Sequence, residues 1–471
     1  MSSIQANGAP RPGRLQRLLN LRAGETGPVL VATLLFFLVL TALMLLRPAR
    51  DALGMERGIE NIRWLFLGTA LVTLAVNPLF GWLASRLRRL SLVAATYGFF
   101  VVSLVGFWVL LMFAPQAVGQ RSGQVFYVWF SVFNLFVTMV FWALLADRFS
   151  RDQAKRLFAL ISVGGTLGAI AGPWLTSQLA QPLGTASLLI IAGALLVLAV
   201  AAAWWLFHLS SDRAYQDLAG NAAAPSTRIG GHAWAGLRQV FRSRYLMGIA
   251  GYILLMTLLA TLIYFTRLQM VAAAAEDMDA RAAMLGNIDM WTQVAVLVLQ
   301  LTLTGKIIGR FGLGVALALL PAATAIGFIG LAVYGSFAVL ILLEASNRAV
   351  QRGITRPARE ALFTVLPRED KYKAKAFLDT FVYRSGDVIG AQAEGLLGRL
   401  GMAMGSLIGV VIPLSLLWAA LGLWLGRAQT RTSAASEAPP LPSRRTAAPH
   451  ERQPLHPASP RRPTPVPGEH P

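Results

Sequence analysis

The sequence predicts an all-α membrane protein with twelve transmembrane helices arranged in two six-helix halves. Three observations support this: 55% of the 471 residues are hydrophobic and 14% charged, apolar runs of membrane-spanning length recur along the chain, and short motifs repeat between the halves. A water-soluble fold of this length would need more polar surface. The sequence has no cysteine and five scattered histidines, so it predicts no disulfide, no metal site and no cofactor.

Twelve stretches are long and apolar enough to cross a membrane. They lie at roughly 27–46, 64–84, 91–113, 124–146, 157–179, 186–208, 245–266, 283–304, 313–333, 335–357, 376–398 and 402–426. The first is not followed by a small-residue cleavage site, so we expect a retained helix rather than a signal peptide. The tenth and eleventh are the weakest because both contain ionisable residues.

These stretches divide the chain into five parts. They are a cytoplasmic N-terminal segment (1–26), a first bundle (27–208), a cytoplasmic linker (209–243), a second bundle (244–427) and a tail (428–471). The tail is rich in proline, serine and arginine with almost no large apolar residues, which predicts disorder.

The distribution of basic residues predicts the orientation. Alternating the loops between two sides puts 33 of the 42 lysines and arginines on the side of the termini and 8 on the other. The positive-inside rule then predicts a multi-pass protein of a bacterial-type inner membrane with both termini in the cytoplasm. Topology thus accounts for the net charge of +20, so we expect a lipid bilayer and no nucleic acid as a partner.

The halves repeat weakly in sequence. Gly81 and Arg86 recur as Gly305 and Arg310, and "AKRLFAL" at 154–160 is similar to "AKAFLDT" at 374–380. Two like-oriented halves are typical of a carrier with a substrate site between them. No GxxxxGK[ST] loop and no nucleophile–base constellation stand out, so we expect transport driven by gradients or exchange, and no enzyme activity.

Ionisable residues at membrane depth commonly face a cavity and indicate function. In the eleventh stretch, Asp379, Tyr383, Asp387 and Glu394 share one helix face, with Arg384 beside it. One interpretation makes Arg384 a ligand anchor and an acid the proton or countercharge site. The alternative is an Arg384–acid pair that holds helices together.

Two further charged groups point to an anion. Glu344 and Arg348 form an i,i+4 pair in the tenth stretch, and we expect Arg348 to face the central cavity. Arg47 and Arg50 precede Asp51 on the side that is otherwise poor in cations, which predicts a positive vestibule. Guanidinium groups suit phosphate or carboxylate because they bond in a bidentate manner.

The segment from Leu144 to Pro173 combines charge with small residues. Asp147 and Asp152 could pair with its four cations, which include Lys155 and Arg156, in one conformational state; orientation and lipid contact are the simpler account. Its glycines at 164, 168 and 172 predict a groove in which another helix packs closely. Asn134 and Trp142 share a helix face that could line a cavity, as do Asp289 and Gln293.

The motifs resemble the major facilitator superfamily. "GWLASRLRR" is similar to its loop motif, with Ser85 where an acid is usual. "LRPARDALG", "FWALLADRFSRDQAKRLFALISVGG" and "KAKAFLDTFVYRSGDVIGA" resemble elements of the bacterial and plastid translocases that exchange ATP for ADP. Arg50 replaces their usual lysine, Asp51 is retained, and Asp387 stands where a lysine is usual.

The resemblance implies an exchange carrier, with an organic anion of nucleotide type as the small-molecule solute. A proton-coupled symporter or drug exporter, and a lipid translocator or membrane scaffold, are the alternatives. The oligomeric state stays open. We predict the substrate-binding residues to be Arg50, Arg348, Arg384, Trp142, Asn134 and Tyr383. We predict the gating or coupling residues to be Asp51, Asp147, Lys155, Arg156, Glu344, Asp379, Asp387 and Glu394.

Overall fold

A computed structural model describes most of the chain. The described residues are 21–22, 24–209, 233–303, 307–367, 371, 374–375, 377–401 and 407–437. Every regular element within them is helical, as the apolar runs predict. Residues 1–20, 210–232 and 438–471 lie outside the described residues. The prediction that the tail is disordered falls mostly on the last of these segments.

The first half consists of six helices joined by short turns. They are α1 Thr26–Met55, α2 Ile59–Arg86, α3 Arg89–Phe113, α4 Gln116–Arg148, α5 Arg151–Leu183 and α6 Ser187–His208. A capping box starts α5, since the Ser150 hydroxyl accepts from the Gln153 backbone N–H and the Gln153 side chain accepts from the Ser150 backbone N–H. Gly184, with a φ of 79°, ends it in a conformation that favours glycine.

The second half begins after a ten-residue helix, Ala233–Arg242. Its main helices are α7 Arg244–Ala274, α8 Met278–Leu303, α9 Ile307–Tyr334, α10 Phe337–Val350, α11 Tyr383–Arg399 and α12 Ile408–Glu437. A π-helical turn, Gln351–Thr355, links α10 to a further helix, Arg356–Leu362. A second π-helical turn, Leu378–Val382, leads into α11.

Ten helices in the described part of the chain are long and apolar enough to cross a membrane. They coincide with the first nine predicted stretches and the twelfth. The predicted tenth and eleventh stretches are each built from shorter helical segments that meet at a π-helical turn, and this is compatible with twelve crossings. Helix α12 continues to Glu437, ten residues beyond the predicted end of the second bundle.

Small residues of α5 form a close seam with α1. A Cβ on Gly168 would lie 2.5 Å from the Phe37 carbonyl oxygen, and one on Gly172 would lie 2.6 Å from the Leu45 backbone nitrogen. The groove predicted from the glycines of α5 therefore holds α1, with main chain packed against main chain.

The two halves meet mainly through α5 with α8, α1 with α8 and α2 with α11. A Cβ on Gly286 of α8 would lie 2.8 Å from the Pro173 carbonyl oxygen of α5. At the start of α8, Asp279 accepts hydrogen bonds from the backbone N–H and hydroxyl of Thr185, which precedes α6. We call the side on which α1 begins and α12 ends the terminal face, and the side of Thr185 and Asp279 the opposite face.

Candidate substrate cavity and ion cluster

A fully buried arginine lies where the two halves meet. Arg267, on α7, has no exposed surface. Its Nη2 lies 2.7 Å from Asp51 Oδ2 and its Nη1 lies 2.8 Å from Asp289 Oδ1. Its Nε lies 3.6 Å from Glu344 Oε1. Three carboxylates from α1, α8 and α10 thus surround one guanidinium, which offsets the large cost of burying its charge.

Neighbouring charges extend this arrangement. Arg348 Nη2 lies 2.6 Å from Glu344 Oε2 and 3.3 Å from Asp289 Oδ1. Arg47 Nε lies 3.8 Å from Asp289 Oδ2, and Arg50 pairs with its neighbour Asp51. We call these residues the ion cluster: Arg47, Arg50, Asp51, Arg267, Asp289, Glu344 and Arg348. Four arginines face three carboxylates, so the cluster is nearly neutral.

Two tyrosine hydroxyls extend the ion cluster by hydrogen bonds that cross between the halves. The Tyr264 hydroxyl of α7 donates to Asp51 Oδ1 over 2.8 Å. The Tyr127 and Tyr264 hydroxyl oxygens are 2.9 Å apart. Since Asp51 and Tyr127 belong to the first half and Tyr264 to the second, this chain of bonds crosses between the halves.

A cavity of about 470 Å³ lies beside the ion cluster, and we call it the central cavity. The first half contributes Arg47, Arg50, Tyr127 and Asn134 among others, and the second contributes Tyr264, Tyr383, Arg384 and Asp387. Arg384 Nη1 lies 3.4 Å from Asp387 Oδ2. The Arg50 guanidinium is 4.5 Å from the centre of the Tyr127 ring and 5.1 Å from that of Phe130.

A second cavity, of about 520 Å³, lies toward the terminal face, and we call it the terminal-face cavity. Arg352, Arg356, Arg359 and Asp379 line it, and it shares Tyr383 and Arg384 with the central cavity. Arg359 Nη2 lies 3.3 Å from Asp379 Oδ1. The two cavities are therefore neighbours along the interior of the protein.

A further polar contact joins the two halves near the opposite face. Arg63 Nε of α2 lies 2.8 Å from Glu394 Oε2 of α11. The Gln269 side-chain amide of α7 donates to Glu394 Oε1 over 2.7 Å. This contact again joins the two halves, and it lies on the same face as Thr185 and Asp279.

The predicted substrate-binding residues occupy different places. Arg50, Asn134, Tyr383 and Arg384 line the central cavity. Arg348 belongs to the ion cluster and does not line any of the cavities described here. Trp142 packs against Phe36, Phe141 and Phe158 and lines none of these cavities.

The predicted gating or coupling residues are spread over both faces. Asp51 and Glu344 belong to the ion cluster. Asp387 lines the central cavity, Asp379 lines the terminal-face cavity, and Glu394 bonds Arg63 near the opposite face.

The remaining gating candidates lie at the terminal face, within the first half. Asp147 pairs with Arg89 of α3, and not with the cations of its own segment. Lys155 is exposed and makes no ion pair with the described residues. Arg156 Nη2 lies 2.9 Å from Glu25 Oε1. Burial alone would raise the pKa of Glu25, but hydrogen bonds from Arg156, the Arg22 backbone and Gln153 lower it.

The sequence interpretation missed Arg267. The predicted seventh stretch ends at residue 266, which leaves Arg267 in a loop, whereas α7 continues to Ala274. A charged residue lowers the hydropathy of its segment whether or not it is paired, because hydropathy is calculated from one segment and takes no account of partners on other helices. The one indication in the sequence that an arginine at this depth could be paired is the position of its three partners: Asp289 and Glu344 lie within two other apolar stretches, and Asp51 follows the end of a third.

Comparisons with known proteins agree with this architecture. The family model described as Major Facilitator Superfamily matches residues 29–343. The ADP,ATP carrier protein 1 of Chlamydia trachomatis serovar D is 24% identical over 485 residues, with 88% of this chain and 90% of that protein covered. The ADP,ATP carrier protein 1 of Chlamydia muridarum is 24% identical over 289 residues, 54% of either chain.

Solved structures share the fold at low identity. The nucleoside transporter NupG has a TM-score of 0.56 at 15% identity, with 86% of this chain and 99% of that chain covered. A POT family transporter in complex with a thioalcohol-conjugated peptide has a TM-score of 0.57 at 12% identity, with 85% and 96% covered. A bacterial homologue of the human lysosomal transporter Spinster, in an inward-facing and unoccupied conformation, has 0.56 at 12%, with 87% and 98% covered.

The matched family model spans nearly all of the first half and the second half as far as residue 343, and the neighbouring structures share the helical architecture. The chain is a multi-pass membrane protein and belongs to the Major Facilitator Superfamily of membrane transporters.

Proposed function

We propose that this transporter is a secondary carrier that works by alternating access and moves an organic anion, with ATP/ADP-type exchange as the first candidate. The observation that carries the proposal is the charge of the central cavity. Arg47, Arg50 and Arg384 line it, whereas Asp387 is the one acidic residue among the described residues of its lining. Both halves contribute these residues, as a carrier with a shared substrate site requires.

The ion cluster reduces this excess of positive charge but does not remove it, because its four arginines outnumber its three carboxylates. Its carboxylates, Asp51, Asp289 and Glu344, are already engaged by arginines, and Arg267 alone contacts all three. Phosphate or carboxylate groups entering the central cavity would meet guanidinium groups suited to bidentate hydrogen bonding. In surroundings of low dielectric constant this attraction is stronger than in water.

Aromatic rings support a nucleotide in particular. Phe66, Tyr127, Phe130, Tyr264 and Tyr383 line the central cavity. Such rings provide stacking surfaces for a base, beside arginines that attract the negative charge of a nucleotide. A volume of about 470 Å³ lies within the range of small-molecule sites, which is roughly 300–1,000 Å³. Similarity to an ADP,ATP carrier over most of the chain points the same way.

The contacts between the halves suggest the state in which the carrier rests. Arg63–Glu394, Thr185–Asp279 and the Gly286 seam all lie toward the opposite face. If the terminal face is cytoplasmic, this state is closed to the outside. The inner-membrane orientation gains support, because three of the cations counted against it, Arg47, Arg50 and Arg267, lie within helices and not in loops.

Uptake of radiolabelled ATP into proteoliposomes containing the purified full chain would test the proposal. Exchange that is stimulated by internal ADP and indifferent to uncouplers is expected. Arg384→Ala should abolish this flux, while Arg242→Ala should not, because Arg242 is exposed on the surface helix Ala233–Arg242. Both variants should insert into the membrane equally.

Asp387 in the central cavity favours one competing function, a proton-coupled symporter. In that case uptake would collapse with uncouplers and would not depend on internal ADP. An absence of solute flux in the presence of headgroup movement would instead favour a lipid translocator. Flux that persists in Arg384→Ala would contradict the assignment of Arg384 to the substrate site.

A further inference from the structure

The described lining residues of the terminal-face cavity all belong to one half, whereas those of the central cavity come from both. Its lining residues come from α7, from the segment after α10 and from the segment before and into α11. All of these elements lie in the second half. Rocking of the halves would therefore leave the terminal-face cavity intact, whereas it would reshape the central cavity.

A π-helical turn builds the cationic wall of this cavity. Pro357 has no backbone N–H to bond the carbonyl of residue 353, and its ring would crowd that carbonyl in a regular helix. The chain widens instead, and the Arg356 backbone N–H bonds the Gln351 carbonyl in the π pattern. Arg348 before the turn joins the ion cluster, while Arg352 and Arg356 within and after it line the terminal-face cavity.

The ratio of arginines to carboxylates differs between the ion cluster and the terminal-face cavity. In the ion cluster four arginines face three carboxylates at ion-pair distance or closer. Among the described residues that line the terminal-face cavity, four arginines meet one carboxylate, Asp379, which Arg359 already engages. Arg352 and Arg356 form no ion pair with any residue in the described part of the chain.

We propose that the terminal-face cavity is a second anion site, which binds the oligophosphate end of a substrate between Arg352, Arg356 and Arg384. Two guanidinium groups without carboxylate partners suit phosphate oxygens in particular, since each can bond in a bidentate manner. Of the described lining residues, one is aromatic in the terminal-face cavity, Tyr383, and five are aromatic in the central cavity. The chemistry therefore separates into a phosphate-binding part and a ring-binding part.

The shared wall of the two cavities indicates how a ligand would lie. Tyr383 and Arg384 line both. A nucleotide could thus keep its phosphates beside Arg352 and Arg356 while its base reaches the aromatic rings of the central cavity. The inference deepens the proposed anion transport and rests on it, but binding of phosphate can be measured without transport.

Calorimetric titration of the purified full chain with inorganic tripolyphosphate tests the site. Arg352→Gln combined with Arg356→Gln is expected to weaken binding about 100-fold, because each loses a charge-assisted contact worth about tenfold. Arg50→Gln, in the central cavity, should weaken tripolyphosphate binding much less, because Asp51 already engages the Arg50 guanidinium. Arg242→Gln, on the exposed surface helix, should have none and controls for general attraction of polyanions.

Arg352→Lys with Arg356→Lys keeps the charge and should weaken binding about tenfold, since lysine cannot bond in a bidentate manner. Thermal unfolding would identify any variant that fails to fold. Wild-type protein without tripolyphosphate affinity, or a loss seen with Arg50→Gln and not with the double glutamine variant, would overturn the inference. If the double variant loses binding while the wild type moves no nucleotide, the site stands and the proposed substrate does not.

Discussion

Replacing Asp51 by asparagine should open the opposite face. Asp51 is fully buried on α1, and across the halves it accepts hydrogen bonds from Arg267 over 2.7 Å and from Tyr264 over 2.8 Å. Its pair with Arg50 lies on the same helix, so that pair persists in both states and cancels from the difference. Asparagine has nearly the same shape but removes the charge that holds the halves together.

The size of the shift follows from the contacts that differ between the states. Loss of charge in a buried charge-assisted hydrogen bond costs about 1.5–3 kcal/mol. The population open at the opposite face should therefore rise roughly 10- to 140-fold. Arg267 keeps Asp289 and Glu344 as partners, which protects the second half from unfolding.

Thiol labelling can measure this population because the chain has no cysteine. Ser131 lines the central cavity, so Ser131→Cys provides a single reporter. In sealed vesicles of known orientation, a membrane-impermeant maleimide applied at the opposite face should label this thiol faster in Asp51→Asn than in the parent.

Glu344→Gln is the matched control. Glu344 is also buried and also pairs with Arg267, but both of its arginine partners belong to the second half. Its loss should leave labelling from the opposite face unchanged. An equal increase in both variants, or none in Asp51→Asn, would refute the conclusion that Asp51 is a lock between the halves.

Three further changes test other contacts. Gly286→Leu should also speed labelling from the opposite face, because its side chain would meet Pro173 and Ser177 across the halves; Gly98→Leu, which has nothing within 4 Å, should not. Gly168→Val should lower the thermal stability of the detergent-solubilised protein, at a cost of about 1–3 kcal/mol or more, because the α1–α5 seam lies within one half; Gly106→Val is its control, and equal melting temperatures would contradict the seam. Glu394→Gln removes the negative charge that lies 2.8 Å from Arg63 Nε and should speed labelling, while the exchange Arg63→Glu with Glu394→Arg should restore the parental rate.

Most of the fold could be predicted because membrane burial leaves a strong one-dimensional pattern. Helices α1 to α9 and α12 appear in the sequence as apolar runs, since a spanning helix must satisfy its backbone internally and present apolar side chains to lipid. The interruptions around Gln351–Thr355 and Leu378–Val382 leave no such pattern. Pro357 and Gly353 predict a bend near the first but not its π-helical form.

The candidate site was predictable only in part. Asn134, Tyr383 and Arg384 could be chosen because polar residues within apolar helices commonly face a cavity. Arg50 could be chosen because it adds positive charge on a side that is otherwise poor in cations. Arg267 could not, because its place depends on three carboxylates from distant parts of the sequence. Helical spacing predicts which residues of one helix share a face, but not which helices meet.

The seam between α1 and α5 determines how a force on the cavity would spread. Gly168 and Gly172 bring the two main chains together with no side chain between them. Helices α1 and α5 therefore have little freedom to slide past each other and move as one rigid unit. In this rigid unit, α1 carries Arg47 and Arg50 of the central cavity, and α5 packs Pro173 against Gly286 of α8. A ligand that pulls on the arginines would therefore act directly on the joint between the halves, without any relay of rearranging side chains.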